Sequence, residues 1–449
     1  MTYRELLAGN ADFRRLWTGQ VVSEIGDWLN NIAVLALAIQ LAGAGRVGLA
    51  VATYAIARHL PLFIFGPVAG VVVDRVSRRR VMIAADMTRA VLALGFMFAN
   101  RAGSLALIYV VGASLFSVSA FFNAAKRASI PNLVSSTEEL LSANSLSAST
   151  TAATIAVGSA LGGVIATALG RDTVFVLNTL TFLASAEMIR RIRKPVSRER
   201  KVSREQRVES SQDNSQSSPP SNTTARRSPL TAYFTDFREG LRYVRRDRVL
   251  AAVFMVAGGW GLGNGAARAL YSLFGASLGE QAAVRWGASV HAVAERPTDF
   301  GISVLFVAMG LGGVLGAPLA RRFNSGAVEG LGARMGRSLT LDGCGLLLFS
   351  LTPNLFGAAA LLVAREMNFA IWWTAQQTLL MRRTEDAFAG RVFASYETLT
   401  TLMMVGSILV SGAAADRLGM RAVAAGGGTV IILSGLLWFV LRRRNRETE

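Results

Sequence analysis

The sequence predicts an all-α membrane protein with twelve transmembrane helices in two pseudo-symmetric six-helix bundles. Hydrophobic residues make up 52% of the 449 residues, and the mean hydropathy is +0.40, above that of ordinary soluble proteins. Apolar runs recur between short polar turns, each near the roughly 20 residues needed to cross a hydrocarbon core. A polar stretch in the middle of the chain divides these runs into two sets of six.

The apolar runs define the predicted spans and, with them, the domains. The spans are 14–41, 47–73, 80–100, 104–125, 143–169, 173–189, 249–275, 300–320, 336–352, 355–379, 391–412 and 421–441. Residues 1–189 are therefore predicted to form an N-terminal bundle. Residues 249–449 are predicted to form a C-terminal bundle with a basic tail.

The central polar stretch, residues 190–231, contains the run Ser210 to Pro220, which is almost free of apolar residues. Such a segment buries too little surface to fold, so we expect a disordered linker. In residues 232–248, Phe234, Phe237, Leu241 and Val244 recur at helical spacing among arginines. This pattern predicts either an amphipathic helix on the membrane surface or an extension of the seventh transmembrane helix.

Charge indicates the topology and excludes several function classes. Lys and Arg concentrate in alternate turns and in the C-terminal tail, which predicts that both termini are cytoplasmic. The net charge of +18 is spread over these turns and is not gathered with stacking aromatics, so we expect no nucleic-acid partner. Cys344 is the single cysteine, and no P-loop or His/Cys cluster is present. We expect no enzyme activity, no cofactor and no metal site, and we expect a monomer.

The two halves of the sequence also repeat one another. Gly66, Gly70 and Arg75 align with Gly312, Gly316 and Arg321, and Val157 to Leu161 aligns with Val405 to Leu409. Duplicated six-helix units of this kind enclose a substrate site near the bilayer midplane and rock around it.

Two glycine-rich motifs stand out. The first is a gate motif at the end of the second span, where Asp74 is placed to accept hydrogen bonds from the N-terminus of a helix in the other half. Alternatively, its arginines only fix the topology, and Asp74 only caps a helix end. The second is a helix-packing motif in the fifth span. The gate motif comprises Gly66, Gly70, Asp74, Arg75, Arg78 and Arg79, with Asp86 as a candidate partner of the arginines, and the packing motif comprises Gly158, Gly162 and Gly163.

These motifs resemble known family signatures. Gly70 to Arg80 is similar to the signature of the major facilitator superfamily between its second and third helices. Ile130 to Val134 resembles the branch of bacterial siderophore (enterobactin-type) and macrolide exporters. Gly158 to Gly163 resembles the fifth-helix signature of drug:proton antiporters, except that Ser159 replaces its proline. The resemblance implies a bacterial inner-membrane protein whose Asp74 latches onto the eleventh helix in the outward-facing state.

Ionisable residues within apolar spans are costly and mark functional sites. Glu24 and Asp27 lie on one helical face at a depth similar to that of Arg58, which indicates either a proton relay or a static buried salt bridge. In the tenth span, Arg365 is a candidate for binding an anionic group, and Glu366 is a further proton-coupling candidate. Trp372 and Trp373 are expected to line the cavity or to pack against lipid. Asp86 with Arg89, Glu187 with Arg190 and Arg191, and Asp342 are assigned to structural ion pairs near the cytoplasmic boundary.

The sequence thus predicts a secondary active transporter in the lipid bilayer that works by alternating access. The expected activity is proton-coupled efflux of an amphipathic small molecule, such as a drug or a siderophore-like compound. One alternative is a substrate:cation symporter or lipid-related importer on the same fold. Another is a non-transporting membrane sensor or assembly partner.

Overall fold

The computed structural model describes residues 2–193, 229–286, 291–324 and 330–446, which form helices joined by short turns. Most of the predicted linker, residues 194–228, lies outside this description. The N-terminal helices are α1 (Tyr3–Gly9), α2 (Ala11–Leu41), α3 (Val47–Arg75), α4 (Arg78–Arg101), α5 (Leu105–Leu133), α6 (Thr137–Leu169) and α7 (Arg171–Arg190). The later helices are α8 (Pro229–Val244), α9 (Arg248–Trp286), α10 (His291–Glu295), α11 (Pro297–Asn324), α12 (Leu331–Leu351), α13 (Leu355–Arg383), α14 (Asp386–Leu418) and α15 (Met420–Arg446).

Each of the twelve predicted spans falls on one long helix. Eleven of these helices, among the residues described, are long and apolar enough to cross a membrane. The remaining helix, α12, has 21 residues and carries Arg334, Arg337 and Asp342. The fold class predicted from the sequence is confirmed.

Helix packing repeats between the two halves. In the N-terminal half, α3 packs on α5, α4 packs on α5 and α7, and α2 packs on α6 and α7. In the C-terminal half, the corresponding helices make the same contacts: α11 with α13, α12 with α13 and α15, and α9 with α14 and α15. The turns repeat as well, since Gly170 (φ +93°) joins α6 to α7 and Gly419 (φ +83°) joins α14 to α15. Positive φ angles favour glycine, which explains why both one-residue turns use it.

The segment after the linker forms a helix separate from α9. The chain turns at Arg245 to Asp247, and the Asp247 carboxylate then caps α9 by accepting a hydrogen bond from the Val249 N–H at 2.7 Å. Helix α8 packs against the start of α14, where Ser395 donates to the Phe237 carbonyl at 3.1 Å. The alternative of a simple extension of the seventh span is therefore wrong, whereas a location on the membrane surface stays a prediction.

The two bundles meet mainly through two helix pairs, α6 with α11 and α3 with α14. Small residues permit close approach in both pairs. A side chain at Gly48 of α3 would overlap the Gly412 carbonyl of α14, and one at Gly310 of α11 would overlap the Ala156 backbone of α6. These contacts hold the bundles together on either side of a central space.

Close backbone packing within the C-terminal bundle leads to a stability prediction. A Cβ at Gly301 of α11 would overlap the Gly275 carbonyl of α9, whereas a Cβ at Gly426 of α15 would meet nothing within 4 Å. Overpacking costs about 1–3 kcal/mol, but Ala otherwise stabilises a helix by about 0.5–1 kcal/mol relative to Gly. We expect Gly301→Ala to lower the thermal unfolding temperature of the purified protein and Gly426→Ala to leave it equal or higher. Equal unfolding temperatures for the two variants would contradict this packing.

Candidate functional site

A cavity of ≈ 160 Å³ lies between the two bundles, near the middle of the long helices. Both halves contribute to its wall, as expected for a site at the interface of two repeats. Its polar and aromatic lining residues are Trp28, Asn31, Tyr54, Arg58, His59, Arg268, Tyr271 and Phe306.

Arg58 occupies the N-terminal side of this cavity without a carboxylate partner in the described part of the chain. Its guanidinium lies 4.7 Å from the centre of the Trp28 ring and 4.9 Å from that of Phe116, and it donates a hydrogen bond to the Asn31 side chain. The neighbouring His59 is bonded through Nδ1 to the Ala55 carbonyl at 2.8 Å. The cavity therefore presents a guanidinium on an aromatic wall.

Arg268 faces Arg58 from the C-terminal half. Its side chain is exposed at the cavity, and it makes no hydrogen bond or ion pair with any residue that the structure describes. Arg268 is not among the residues predicted for the site, although an arginine inside the apolar seventh span is the signal that identifies it.

The predicted relay of Glu24, Asp27 and Arg58 does not form as an ion-paired unit. Glu24 pairs with Lys126 at 3.3 Å and accepts hydrogen bonds from Gln20 and Thr154 at 2.8 and 3.1 Å. Lys126 belongs to α5, and its position along the sequence does not identify it as the partner of Glu24.

Asp27 instead belongs to a second buried group centred on Arg89. The Arg89 guanidinium lies 3.7 Å from Asp27, forms a close ion pair with Asp86, and packs on the Phe122 and Phe182 rings at 4.2 and 4.4 Å. Asp86 thus pairs with Arg89 and not with the arginines of the gate motif, which corrects that expectation.

The C-terminal bundle has a matching buried group centred on Arg365. Arg365 and Asp342 lie 3.0 Å apart, with only 3% and 1% of their side chains exposed. Arg365 also donates to Asn264 at 3.1 Å and to the hydroxyl of Tyr271. Two expectations are corrected: Asp342 is part of the helix core and not of the boundary, and Arg365 is neutralised within its bundle and is not free for an anion.

The remaining candidates in the tenth span occupy different environments. Glu366 is half-buried beside Gly312 and makes no hydrogen bond or ion pair among the described residues. Trp372 is 1% exposed and stacks with Trp260 at 4.7 Å, so it packs inside the C-terminal bundle and does not line the cavity. Trp373 is 37% exposed and adjoins the same aromatic cluster.

One end of the cavity is closed by polar contacts between the bundles. The Asp416 carboxylate, at the end of α14, accepts hydrogen bonds from the Gly48 and Leu49 N–H groups at the start of α3, at 2.7 and 2.9 Å. Arg171 of α7 binds the buried Asp299 of α11 through two hydrogen bonds of 3.0 and 2.8 Å. A carboxylate at a helix N-terminus and a bidentate Arg–carboxylate pair are both strong, directional contacts.

At the opposite end, Asp74 and Arg75 of the gate motif make no such contact with a described residue. Both residues are exposed and have no hydrogen-bond or ion-pair partner in the part of the chain described. A Cβ at Gly66 or Gly70 of α3, or at Gly406 of α14, would meet nothing within 4 Å. Arg78 and Arg79 instead donate to the Ala128 and Arg190 carbonyls, which anchor the turn to its own bundle.

The glycines of the packing motif lie where helices approach most closely. Gly158 and Gly162 of α6 pack on the backbone of α2 at Ile25 and Leu29. Gly163 faces Ser303 of α11, whose hydroxyl donates to the Ser159 carbonyl at 2.8 Å. Ser303 thus links the bundles at the residue that replaces the signature proline of the antiporters.

This arrangement of paired six-helix bundles around a central cavity agrees with the family comparison. The model of the Major Facilitator Superfamily matches residues 16–407. The chain belongs to this superfamily. It is similar to the uncharacterised MFS-type transporter YfiS of Bacillus subtilis (strain 168), with 23% identity over 95% of this chain and 92% of that protein. It is also 32% identical to the putative bacilysin exporter BacE of the same organism, over 31% of this chain and 34% of that protein.

Solved structures of other transporters share the fold at low sequence identity. A mutant of the nucleoside transporter NupG superposes with a TM-score of 0.63 and 12% identity, over 95% of this chain and 99% of that one. A bacterial homologue of the iron transporter ferroportin, in an inward-facing state, superposes with a TM-score of 0.64 and 12% identity, over 96% of this chain and 98% of that one. The chain is therefore a transporter by family and not an enzyme.

The buried Arg365–Asp342 pair predicts strong coupling between its two members. Removing one partner of a buried ion pair costs about 3–5 kcal/mol, because the other charge stays buried without compensation. We expect Asp342→Asn and Arg365→Gln each to destabilise the protein strongly, and the double variant to be more stable than the sum of the two effects allows.

Thermal unfolding of the purified variants in detergent tests this coupling. The matched control is Glu187→Gln, since Glu187 and its partners Arg190 and Arg191 are exposed and such pairs contribute no more than about 1 kcal/mol. Additive effects of the two single substitutions would contradict the pairing.

Proposed function

We propose that this protein is a secondary transporter that exports an amphipathic small molecule from the bacterial cytoplasm in exchange for protons. The observation that carries the proposal is the difference between the two ends of the α3–α14 pair. Asp416 is bonded to the start of α3 at one end, while Asp74 at the other end is exposed and has no ion-pair or hydrogen-bond partner among the described residues. A cavity that opens to one side at a time is what alternating access requires.

The distribution of basic residues supports a cytoplasmic location for the Asp74 end. Arg75 and Arg78 to Arg80 lie at the Asp74 end, together with Arg382, Arg383 and the C-terminal arginines. Under the positive-inside rule this end is cytoplasmic, both termini are cytoplasmic, and the conformation described is inward-facing.

The helices α3 and α14 carry the same motif and supply a switch. Gly70-x-x-x-Asp74-Arg75 ends α3, and Gly412-x-x-x-Asp416-Arg417 ends α14. A carboxylate at the C-terminal end of its own helix is disfavoured by the helix dipole by about 0.3–1 kcal/mol, and the N-terminus of another helix offsets this cost. Asp416 already caps α3 in this way. We infer that Asp74 caps α14 when the cytoplasmic end closes, so that the two latches alternate.

Proton coupling requires a carboxyl that can change its charge without breaking the fold. Glu24 and Asp27 form ion pairs with Lys126 and Arg89, whereas Glu366 interacts electrostatically with Arg365 and Arg268 but forms no ion pair among the described residues. Protonation of Glu366 therefore breaks no ion pair in this conformation, and that makes Glu366 the foremost of the three candidates. The similarity to a putative exporter and to the siderophore and macrolide exporter motifs supports the outward direction of transport.

Proton-coupled export predicts a substrate-dependent pH change in inverted membrane vesicles. In acid-loaded vesicles, transport of a substrate into the lumen in exchange for protons should make the lumen more alkaline. We expect this response for at least one compound in a panel of siderophores, macrolides, tetracyclines, organic anions and cationic dyes. Glu366→Gln should abolish it, whereas Glu187→Gln, at an exposed ion pair at the end of α7, should not.

The direction of the pH change separates the functions. Substrate-dependent acidification or sodium-dependent uptake would favour a symporter or importer on this fold. A correctly inserted protein that responds to no compound would contradict proton-coupled export and favour a non-transporting role.

The alternating latches predict opposite conformational shifts for Asp416→Ala and Asp74→Ala. Loss of a helix N-cap costs about 0.5–2 kcal/mol, enough to change a two-state ratio severalfold. Spin labels at Val76 and Glu397, in a Cys344→Ser background, report the distance across the cytoplasmic end. Asp416→Ala should increase the population with a short distance, and Asp74→Ala should decrease it.

Transport should be reduced in both latch variants, because each favours one side of the cycle. The control is Asp172→Ala, since Asp172 pairs with Arg101 within the N-terminal bundle and is not part of either latch. A shift in the same direction for both latch variants would refute the reciprocal switch.

A further inference from the structure

We propose that the central cavity binds an amphipathic organic anion, whose acidic group lies between Arg58 and Arg268 and whose apolar part contacts the aromatic wall. This inference rests on the proposed transport function and names the class of its substrate. The juxtaposition that supports it is two guanidinium groups, one from each bundle, on a cavity with no carboxylate among its lining residues in the described part of the chain.

The protein neutralises its other deeply placed arginines by itself. Arg89 and Arg365, each with 3% of the side chain exposed, have aspartate partners on their own bundles. Arg58 and Arg268 do not, since the described residues supply no ion pair to either. A charge at membrane depth is costly without a partner and marks a substrate pathway. The missing negative charge is therefore expected to come from the ligand.

The nearby acids do not fill this role in the structure. Asp27 forms its ion pair with Arg89, Glu24 with Lys126 and Asp342 with Arg365. Asp27 also interacts electrostatically with Arg58, and Glu366 with Arg268, but neither acid forms an ion pair with these arginines among the described residues or lines the cavity. The positive charge of the cavity thus stays available to a ligand.

The rest of the wall fits the apolar part of such a ligand. The Trp28 and Phe306 rings lie 6.0 Å apart, one from each bundle, and Tyr271 completes the wall beside Arg268. A cavity of about 150 Å³ holds one benzene-sized ring, so ≈ 160 Å³ accommodates an aromatic ring with its acidic group at the arginines. A longer ligand would extend toward the open cytoplasmic end.

Arg58 and Arg268 have distinct roles in this site. Arg58 is held by Asn31 and by the Trp28 and Phe116 rings, so it is preorganised. Arg268 has no such restraint among the described residues, and it belongs to the other bundle. An anion bound by both would link the bundles at the midplane, and guanidinium groups suit this because they bind planar oxyanions through two hydrogen bonds.

The test compares ligands of equal shape and different charge. The full-length protein in lipid nanodiscs is titrated with 1-naphthoate, 1-naphthyl phosphate and the uncharged 1-naphthamide, and binding is measured by equilibrium dialysis. We expect wild-type protein to prefer an anion to the amide by about tenfold or more, the range of one charge-assisted hydrogen bond. Arg268→Gln and Arg58→Gln should each remove most of this preference, and Arg268→Lys should retain part of it.

Controls separate charge recognition from general effects. Arg101→Gln, at an arginine with 67% of its side chain exposed away from the cavity, should leave the preference unchanged. Thermal unfolding of each variant verifies that it is folded. Equal affinity for anion and amide in the wild-type protein, including no binding of either, overturns the proposal, as does full preference in Arg268→Gln.

Failure of the proposed anion site can be distinguished from failure of the proposed transport function. If the vesicle assay shows export of cations only and the naphthyl probes show no charge preference, the transporter stands and the anion site is overturned. If the charge preference depends on Arg268 but no compound changes the luminal pH, the anion site is supported and proton-coupled export is not.

Discussion

The constraint on which the rest of this structure depends is that a charge inside a membrane needs a partner. Arg89 and Arg365 meet it in the same way, each with an aspartate of its own bundle and with aromatic rings around the guanidinium. Because these charges are neutralised locally, each bundle is electrostatically complete and can move as a unit. Among the described residues, Arg58, Arg268 and Asp74 have no ion pair and lie where the bundles face one another or water.

Charged and polar groups at the two ends of the cavity also need partners. The backbone N–H groups at the start of one helix can bind a carboxylate at the end of another. Because the two halves are duplicated, the start of one helix and the end of the other meet at both ends of the α3–α14 pair. Asp416 satisfies the start of α3 at the closed end, while Asp74 is exposed at the other. Of these two contacts, only the one at Asp416 is formed between the described residues in this conformation. In the proposed cycle, formation of the contact at Asp74 would offset the loss of the contact at Asp416.

The sequence predicted most of the fold because spans and repeats are local properties of the chain. It predicted the twelve helices and the duplication, since apolar run length and motif spacing do not depend on which helices touch. It did not predict the partners of the charges. Glu24 finds Lys126 of α5, and Arg365 finds Asp342 of α12, and both pairings depend on how helices distant in sequence are packed. The position of Arg58 along its span indicates that it lies at about the same depth as Glu24 and Asp27. It does not indicate how the helix is rotated about its axis, and this rotation decides which neighbours a side chain faces.

Tyr271 connects the cavity to the buried charges and indicates how a ligand can influence the fold. It lines the cavity beside Arg268, and its hydroxyl accepts a hydrogen bond from Arg365, which in turn binds Asp342. A ligand that displaces the Tyr271 ring therefore disturbs a hydrogen bond in the pair that holds α12 and α13 together. Since Glu366 adjoins Arg365 on α13 and faces α11, the same helix carries the structural pair and the proton-coupling candidate. Under the proposed proton coupling, occupancy of the cavity and protonation of Glu366 would therefore act on the same helix, α13.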